Sequence, residues 1–152
     1  RLEKMDILPV MDRVLSGVQN IIDSKKLEIE FAINEKPRIS SHQFEILCDN
    51  LLFYSMMSNL VKNAVAASPE NGVVRLFFNK NHAVSFGVRN QGVVKHEIRD
   101  KFFDKFVTAG KLDGTGLGTY SAQLMAKVQG GNIEFYTSDD DDITVLLINW
   151  LN

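Results

Sequence analysis

The sequence predicts an α/β domain of the α+β kind, a two-layer sandwich in which helices pack on one mixed sheet. Three observations support this fold class. Hydrophobic residues make up 45% of the 152 residues, which suits a single compact domain. A long apolar helix is predicted over Asn50–Ala67. Alternating strands surround that helix, in an order that favours a mostly antiparallel sheet.

In the first half of the chain, two helices and two strands are predicted. Hydrophobic residues recur every three or four positions across residues 7–22, which predicts one amphipathic helix. The alternation in "KLEIEFAI" predicts a half-buried strand, and "FEILC" is a second apolar run. The segment Asn50–Ala67 is apolar nearly all round and contains no Gly or Pro, so we expect this helix to be largely buried.

In the second half, strands alternate with a third long helix. "VVRLFFNK" and "AVSFGVR" flank Asn81 and His82, which predicts a hairpin. "KHEIRDKFFDKF" predicts a short helix. "GLGTYSAQLMAKVQ" predicts the third long helix, which Gly130 and Gly131 end. "NIEFYT" and "ITVLLINWL" then predict two more strands, so the sheet packs on three helices.

Composition excludes several classes of function. The net charge is −2 and the basic residues are dispersed, so we expect no nucleic acid partner. No apolar run reaches the roughly 18–20 residues of a membrane span, so we expect no membrane contact by this domain. The single cysteine, Cys48, lies in an apolar run and is interpreted as a buried, inert thiol, which fits a reducing compartment.

The segment "GTGLGT", residues 114–119, opens a predicted helix. Its glycines let the backbone approach a ligand closely, and the free N–H groups and dipole of a first helical turn favour phosphate. Its spacing matches neither the Walker A loop nor the dinucleotide fingerprint. By itself the segment leaves two interpretations open, a phosphate site and an ordinary helix start.

Three amide side chains are the other candidates for chemistry. Asn59 and Asn63 are four residues apart and therefore share one helix face, where Mg²⁺ carried by nucleotide phosphates would satisfy their oxygens. Asn90 ends a strand, where its amide can accept from and donate to adenine, and Gly92 leaves room for a flat base. Simpler interpretations, a backbone cap or solvent exposure for the pair and a turn for "NQG", remain open for each feature alone.

In their order along the chain, these features resemble the ATP-binding domain of sensor histidine kinases, which belongs to the GHKL superfamily. "MSNLVKNAVAASPENG" resembles the N box of that family, and "VRNQGVV" resembles its G1 box. "FFDKFVTAGK" resembles the F box with the start of the ATP lid, and "DGTGLGTYSAQLMAKVQGG" resembles the G2 box with its helix. The resemblance runs over nearly the whole chain.

The resemblance implies a Bergerat-type ATP-binding fold over residues 7–152, with residues 1–6 as the end of a helix from a preceding dimerisation domain. It implies ATP and Mg²⁺ as cofactors, and transfer of the γ-phosphate to a histidine on that separate dimerisation domain. The implied partners are this dimerisation domain and the receiver domain of a response regulator. A homodimeric full-length protein and a cytoplasmic location, in a bacterial sensor that is membrane-bound or free, are further implications.

The resemblance also assigns the site residues. Asn63 would coordinate Mg²⁺ beside Asn59, the two forming the catalytic pair, and Asn90 with Gly92 would bind adenine. Because related ATPases carry a glutamate base where Asn59 stands, an amide there argues against water-directed hydrolysis. Phe103 and Phe106 would hold the lid. The residues implied to contact phosphate are Lys111, Gly114, Thr115, Gly116, Leu117 and Gly118.

Departures from the family pattern leave two alternatives open. Asn90 replaces the usual aspartate, Val94 replaces a glycine, and Ala66 stands where many members carry a lysine. These changes would suit a nucleotide-free scaffold or docking module with the same fold. The other alternative is a serine kinase of the anti-sigma-factor type, although the aromatic "FFDKF" favours the histidine kinase.

Two further features are interpreted as ordinary surface. His96 in "HEIRDKF" resembles a phosphate-accepting histidine, but it falls between the G1 and F boxes, so we expect a surface residue on a short helix before the lid. The run from Asp139 to Asp142 is interpreted as a solvated turn between two strands rather than a cation site.

Overall fold

The computed structural model describes residues 1–94, 96–101 and 118–151 of the chain. Helices and strands alternate along these residues, in the order that the sequence predicts for most of the elements. The strands are β1 (Glu3–Asp6), β2 (Glu28–Ile33), β3 (Lys36–Pro37), β4 (Glu45–Cys48), β5 (Val73–Lys80), β6 (Val84–Gln91), β7 (Gly131–Ser138) and β8 (Ile143–Trp150). The helices are α1 (Leu8–Ser16), α2 (Gln19–Lys25), α3 (Asn50–Ala67) and α4 (Gly118–Val128), with a 3₁₀ helix at His96–Lys101.

Six of the strands form one mixed sheet in the order β3-β2-β5-β6-β8-β7. Strands β2 and β5 run parallel, and the other neighbours in this sheet are antiparallel. The antiparallel pair β5 and β6 confirms the hairpin predicted around Asn81 and His82. Strands β1 and β4 form a separate antiparallel pair. The predicted mixed, mostly antiparallel sheet is therefore confirmed.

The helices cover one face of this sheet. Along β5, Val74, Leu76 and Phe78 are fully buried, whereas the alternate residues Arg75 and Phe77 are only partly buried. The same alternation follows β6 and β8, because successive strand residues point to opposite faces. The other face of the sheet remains partly open, so the domain is the predicted two-layer sandwich.

Helix α3 begins and ends where the sequence predicts. The Asp49 side chain caps its first turn, since Oδ1 accepts a hydrogen bond from the Leu52 N–H at 2.9 Å. At the other end, the Ser68 hydroxyl donates to the Ala64 carbonyl at 2.8 Å, and Pro69 follows. A proline disfavours helical geometry in the residue before it, which accounts for the end at Ala67.

The prediction of one helix over residues 7–22 is wrong, because the chain forms α1 and α2 with a break at Gly17 and Val18. Hydrophobic periodicity misses the break, since Val18 and Ile22 remain buried on the same side of the domain as Val14. Within the described residues, four α-helices therefore accompany the sheet instead of the three predicted. The 3₁₀ helix occupies the start of the predicted helix in "KHEIRDKFFDKF", and residues 102–106 lie outside the described part.

The segment of residues 1–6, expected to be the end of a helix from a preceding domain, contains a strand. Glu3–Asp6 form β1, whose residues pair with β4 in the register Glu3 to Cys48 and Asp6 to Glu45. The partner strand is about 40 residues further along the chain, so the local sequence does not indicate the pairing. Whether this segment belongs to a preceding domain stays a prediction.

Cys48 is buried, as predicted. Burial, with a smaller contribution from the neighbouring Asp49 carboxylate, raises the pKa of the Cys48 thiol to about 11. The thiol is therefore protonated at neutral pH. Because the thiolate is the reactive form of cysteine, this protonation supports the interpretation of Cys48 as inert. Within residues 1–94, 96–101 and 118–151, no helix combines the length and apolar composition of a membrane span.

Candidate functional site

Helix α3 carries Asn59 and Asn63 one turn apart. Residues on the sides of the helix that pack into the domain, such as Leu60 and Ala64, have no exposed surface, whereas the two asparagines are half-buried. The four-residue spacing places both amides on one face, as the sequence predicts. Amide oxygens grouped in this way can contribute to the ligand shell of a hard cation.

Asn90 lies near the end of β6 on the covered face of the sheet. Its side chain is only 2% exposed, between Val74 of β5 and Thr144 of β8 in the sheet register. The Asn90 Nδ2 donates to the Gln91 carbonyl oxygen at 2.7 Å. This bond orients the amide with its nitrogen towards the backbone.

Gly92 brings the end of β6 against the end of α3. Its φ is +104°, a conformation that other L residues rarely adopt. A Cβ at this position would lie 3.2 Å from the Ala67 carbonyl oxygen, so a side chain there would also crowd the helix end. Ala67 follows Asn63 by four residues on the same helix face. The structure therefore places the Asn90 and Gly92 strand end beside the last turns of α3.

Helix α4 packs against α3, and a hydrogen bond from Asp49 to Gln129 indicates that the two helices run antiparallel. Gln129, just after α4, accepts a hydrogen bond from the Asp49 N–H at 3.0 Å, which fixes the end of α4 beside the start of α3. The 11 residues of α4 span roughly 16 Å at the helical rise. Gly118, its first residue, therefore lies alongside the second half of α3, the half that carries the asparagines.

Several predicted site residues lie outside the described residues. The residues concerned are Phe103, Phe106, Lys111, Gly114, Thr115, Gly116 and Leu117. Their roles at phosphate and lid stay predictions. Among the predicted contacts to phosphate, Gly118 alone falls within the described chain, where it begins α4 and is exposed.

The described donors fit a nucleotide-borne magnesium ion better than a metal held by protein alone. Among the described residues, no three His, Cys, Asp or Glu side chains are grouped as ligands of one ion. Mg²⁺ in nucleotide sites keeps phosphate and water ligands and takes only one or two from protein. The half-buried amides of Asn59 and Asn63 are compatible with that minor share. Ala66 and Lys62 on the same helix are exposed, so Lys62 is available as a cation near this end.

Two groups of residues at this end of the domain escaped the sequence interpretation. Lys25 at the end of α2 donates from Nζ to the carbonyl oxygens of Val65, Ala66 and Ser68, at 2.9, 2.9 and 2.8 Å. It thereby caps the end of α3. No local pattern indicates this contact, because the partners are about 40 residues apart.

The second group is the hairpin of β7 and β8, whose residues bind the loop after Asn90. Thr144 Oγ1 donates to the Gly92 carbonyl at 2.8 Å, and Thr137 Oγ1 accepts from the Val94 N–H at 3.2 Å. Alternating polarity in the sequence predicts the strands, but it does not indicate which loop their threonines reach.

His96 is a surface residue, as predicted. Its side chain is 76% exposed, and its Nε2 lies 3.2 Å from Asp139 Oδ2. The turn that carries Asp139 joins β7 to β8 and is exposed, which agrees with the interpretation of the four aspartates as a solvated turn.

Comparisons with known proteins agree with this architecture. The family model described as histidine kinase-, DNA gyrase B- and HSP90-like ATPase matches residues 48–149, about two thirds of the chain. Sensor protein QseC of Escherichia coli is 29% identical over 144 residues, which cover 89% of this chain and 31% of that protein. Heme sensor protein HssS of Staphylococcus epidermidis is 27% identical over 116 residues, which cover 73% and 26%. The chain thus spans less than a third of the length of either sensor protein.

Solved structures share the fold. The catalytic domain of the histidine kinase ThkA superposes with a TM-score of 0.82 at 21% identity, covering 99% of this chain and 95% of that one. The mycobacterial sensor histidine kinase MprB superposes with a TM-score of 0.80 at 19% identity and covers all of both chains. Since the family model covers most of the sequence and these folds agree, the chain belongs to the histidine kinase-, DNA gyrase B- and HSP90-like ATPase family.

Proposed function

We propose that this domain binds Mg·ATP beside the second half of α3 and transfers the γ-phosphate to a histidine on a separate dimerisation domain. The observation that carries the proposal is the closeness of Gly92 to the Ala67 carbonyl at the end of α3, where a Cβ would have little room. It brings a buried amide at a strand end, Asn90, within reach of the helix face that bears Asn63. A series of polar groups along one surface suits a nucleotide, whose base, sugar and phosphates follow one another in the same way.

Each described residue has a distinct role in this proposal. Asn90 would recognise adenine through its amide oxygen, because its Nδ2 is already bonded to the Gln91 carbonyl. Gly92, which lacks a side chain, lets this strand end lie close to the Ala67 carbonyl at the end of α3. Asn63, with Asn59 beside it, would hold the metal that accompanies the phosphates. The N–H groups of the first turn of α4, at Gly118, would donate hydrogen bonds to phosphate oxygens.

The proposed chemistry is mainly positioning and charge neutralisation. A phosphoryl group in transfer needs little covalent help from the protein, and a bound metal ion would supply neutralisation of its charge. The amide of Asn59 cannot remove a proton from water, so the site is suited to a nucleophile that arrives on another domain. An imidazole nitrogen of a histidine is such a nucleophile.

The wider role follows from the relatives, which are named as sensor proteins and histidine kinases. In the whole protein, the phosphorylated histidine would pass its phosphate to the receiver domain of a response regulator. We infer a homodimer for that protein and a cytoplasmic location for this domain.

Titration calorimetry with a non-hydrolysable ATP analogue tests the proposal. We expect binding that strengthens with Mg²⁺. A matched GTP analogue should bind more weakly, since Asn90 would recognise the adenine edge. Absence of binding at millimolar nucleotide would contradict the proposal and favour the nucleotide-free docking module. Incubation with labelled ATP and the dimerisation domain should then place an acid-labile label on histidine, whereas an acid-stable label on serine would identify the anti-sigma-type alternative.

A further inference from the structure

The loop that follows Asn90 is held by the hairpin of β7 and β8. The Gly92 N–H donates to the Asp142 carbonyl at 2.8 Å, and the Gly92 carbonyl accepts from Thr144 Oγ1 at 2.8 Å. Further along, the Val94 N–H donates to Thr137 Oγ1 at 3.2 Å. Three backbone groups of this short loop are therefore fixed by residues from both sides of one turn.

The tip of the same turn binds the next element. Arg99 of the 3₁₀ helix donates from Nη2 to Asp139 Oδ1 at 2.8 Å and from Nη1 to Oδ2 at 3.4 Å. His96 Nε2 lies 3.2 Å from Oδ2 of the same carboxylate. Arg99 also donates from Nε to the Val94 carbonyl at 2.8 Å. One guanidinium thus joins the fourth backbone group of the loop to Asp139.

The charges and the exposed fractions of Arg99 and Asp139 agree with a positioning role for the contact between them. The Arg99 side chain is 20% exposed and the Asp139 side chain 51% exposed, so the arginine lies mostly under the turn. The hydrogen bonds from Arg99 are the main cause that lowers the pKa of the Asp139 carboxyl, with His96 contributing less. A two-pronged arginine and carboxylate contact also fixes relative orientation, beyond the attraction between the charges.

We propose that Asp139 is a positioning residue for the strand end that binds adenine. Through Arg99 it holds Val94, and with it the loop that sets the position of Asn90 and Gly92. This role in nucleotide binding rests on the proposed function, whereas the ordering of the loop does not. Without the contact, the loop would occupy its binding conformation for a smaller fraction of the time, and apparent affinity would fall by that fraction.

Amide hydrogen exchange on the nucleotide-free domain tests the ordering of the loop directly. In Asp139→Asn, we expect amides of residues 92–94 and 96–101 to exchange about twofold to fivefold faster, the size typical of an exposed ion pair. Asp140→Asn is the matched control, since it removes the same charge one residue away and Asp140 has no ion pair among the described residues. Asp139→Glu, which keeps a carboxylate, should restore slow exchange.

Affinity for the Mg²⁺ complex of a non-hydrolysable ATP analogue is the second measurement. We expect Asp139→Asn to weaken it by the same factor, about twofold to fivefold, with Asp139→Glu close to the wild type. Equal exchange in Asp139→Asn and Asp140→Asn would overturn the inference. If the wild-type domain binds no nucleotide, the proposed function fails, and the exchange measurement still decides whether Asp139 orders the loop.

Discussion

The two sides of α3 differ in what they contact. On the apolar side, Phe53, Met57, Leu60 and Val61 have no exposed surface and pack against the sheet and neighbouring helices. On the polar side, Asn59 and Asn63 are half-buried, and exposed residues surround them. The same helix therefore supplies a large part of the core and the surface proposed to bind phosphate and metal.

The difference shows how a rigid helix can present a ligand site. The apolar side fixes the position of the helix axis, because packing in a protein interior is dense and resists displacement. The polar side has amides held at a fixed spacing by that same backbone. Substitutions on the apolar side should therefore lower stability, whereas substitutions on the polar side should weaken ligand binding.

The largest effect is expected on the apolar side, from Leu60→Ala. This side chain has no exposed surface, and its removal leaves a cavity that the surrounding helices and sheet fill only in part. We expect the free energy of unfolding to fall by about 2–5 kcal/mol, measured by urea denaturation. Leu51→Ala is the control on the same helix, because Leu51 is 77% exposed and should change stability by less than about 0.5 kcal/mol.

On the polar side, Asn63→Ala should affect binding and leave the fold intact. Loss of the amide oxygen removes the proposed protein ligand of Mg²⁺, so we expect Mg²⁺-dependent affinity for an ATP analogue to fall at least about tenfold, equivalent to roughly 1.4 kcal/mol. Calorimetric titration measures the affinity, and thermal unfolding monitors the fold. Asn50→Ala, the same change at the exposed first residue of α3, is the control. Unchanged affinity in Asn63→Ala would remove Asn63 from the site.

Local sequence was sufficient to predict α3 and most of the sheet. The bounds of α3 follow from Asp49 as a cap and from Pro69 as a stop, both of which are readable in the sequence. The break at Gly17 was missed because the residues after it keep the hydrophobic spacing of those before it. Strand β1 was missed because its stability comes from pairing with β4, which is distant in sequence.

The candidate site, like the fold, has features that the local sequence predicts and contacts that it does not. Asn59 and Asn63 could be placed on one face from their spacing, and Asn90 and Gly92 at a strand end from the turn that follows. Contacts across the fold could not be predicted, such as those of Lys25 with the end of α3 and of Thr144 with Gly92. These bonds join residues between 40 and 52 positions apart. Only the packing of the elements brings such residues together.

Asn90→Asp tests whether the end of β6, like the polar side of α3, contributes to nucleotide binding. A carboxylate accepts more strongly from an adenine amine than an amide does, so we expect affinity for the ATP analogue to rise about threefold. The same change removes the donor to the Gln91 carbonyl in a site that is 2% exposed, so stability should fall by about 1–3 kcal/mol. Calorimetry and denaturation measure the two effects separately. Weaker binding by the mutant would contradict the assignment of Asn90 to adenine.

The last of these tests concerns Lys25, which caps the end of the helix that bears both sides. Its Nζ binds three carbonyl oxygens at the end of α3, where the helix dipole also favours a cation. In Lys25→Met, which keeps the aliphatic stem, we expect a loss of about 1–2 kcal/mol in stability by urea denaturation. Lys127→Met is the control, because Lys127 is exposed near the end of α4 that lies away from the proposed site. Since the Ala67 carbonyl approaches Gly92, fraying of this turn should also weaken nucleotide binding. If stability falls and affinity does not, the end of α3 supports the fold alone, and the site depends on Asn63 and the hairpin instead.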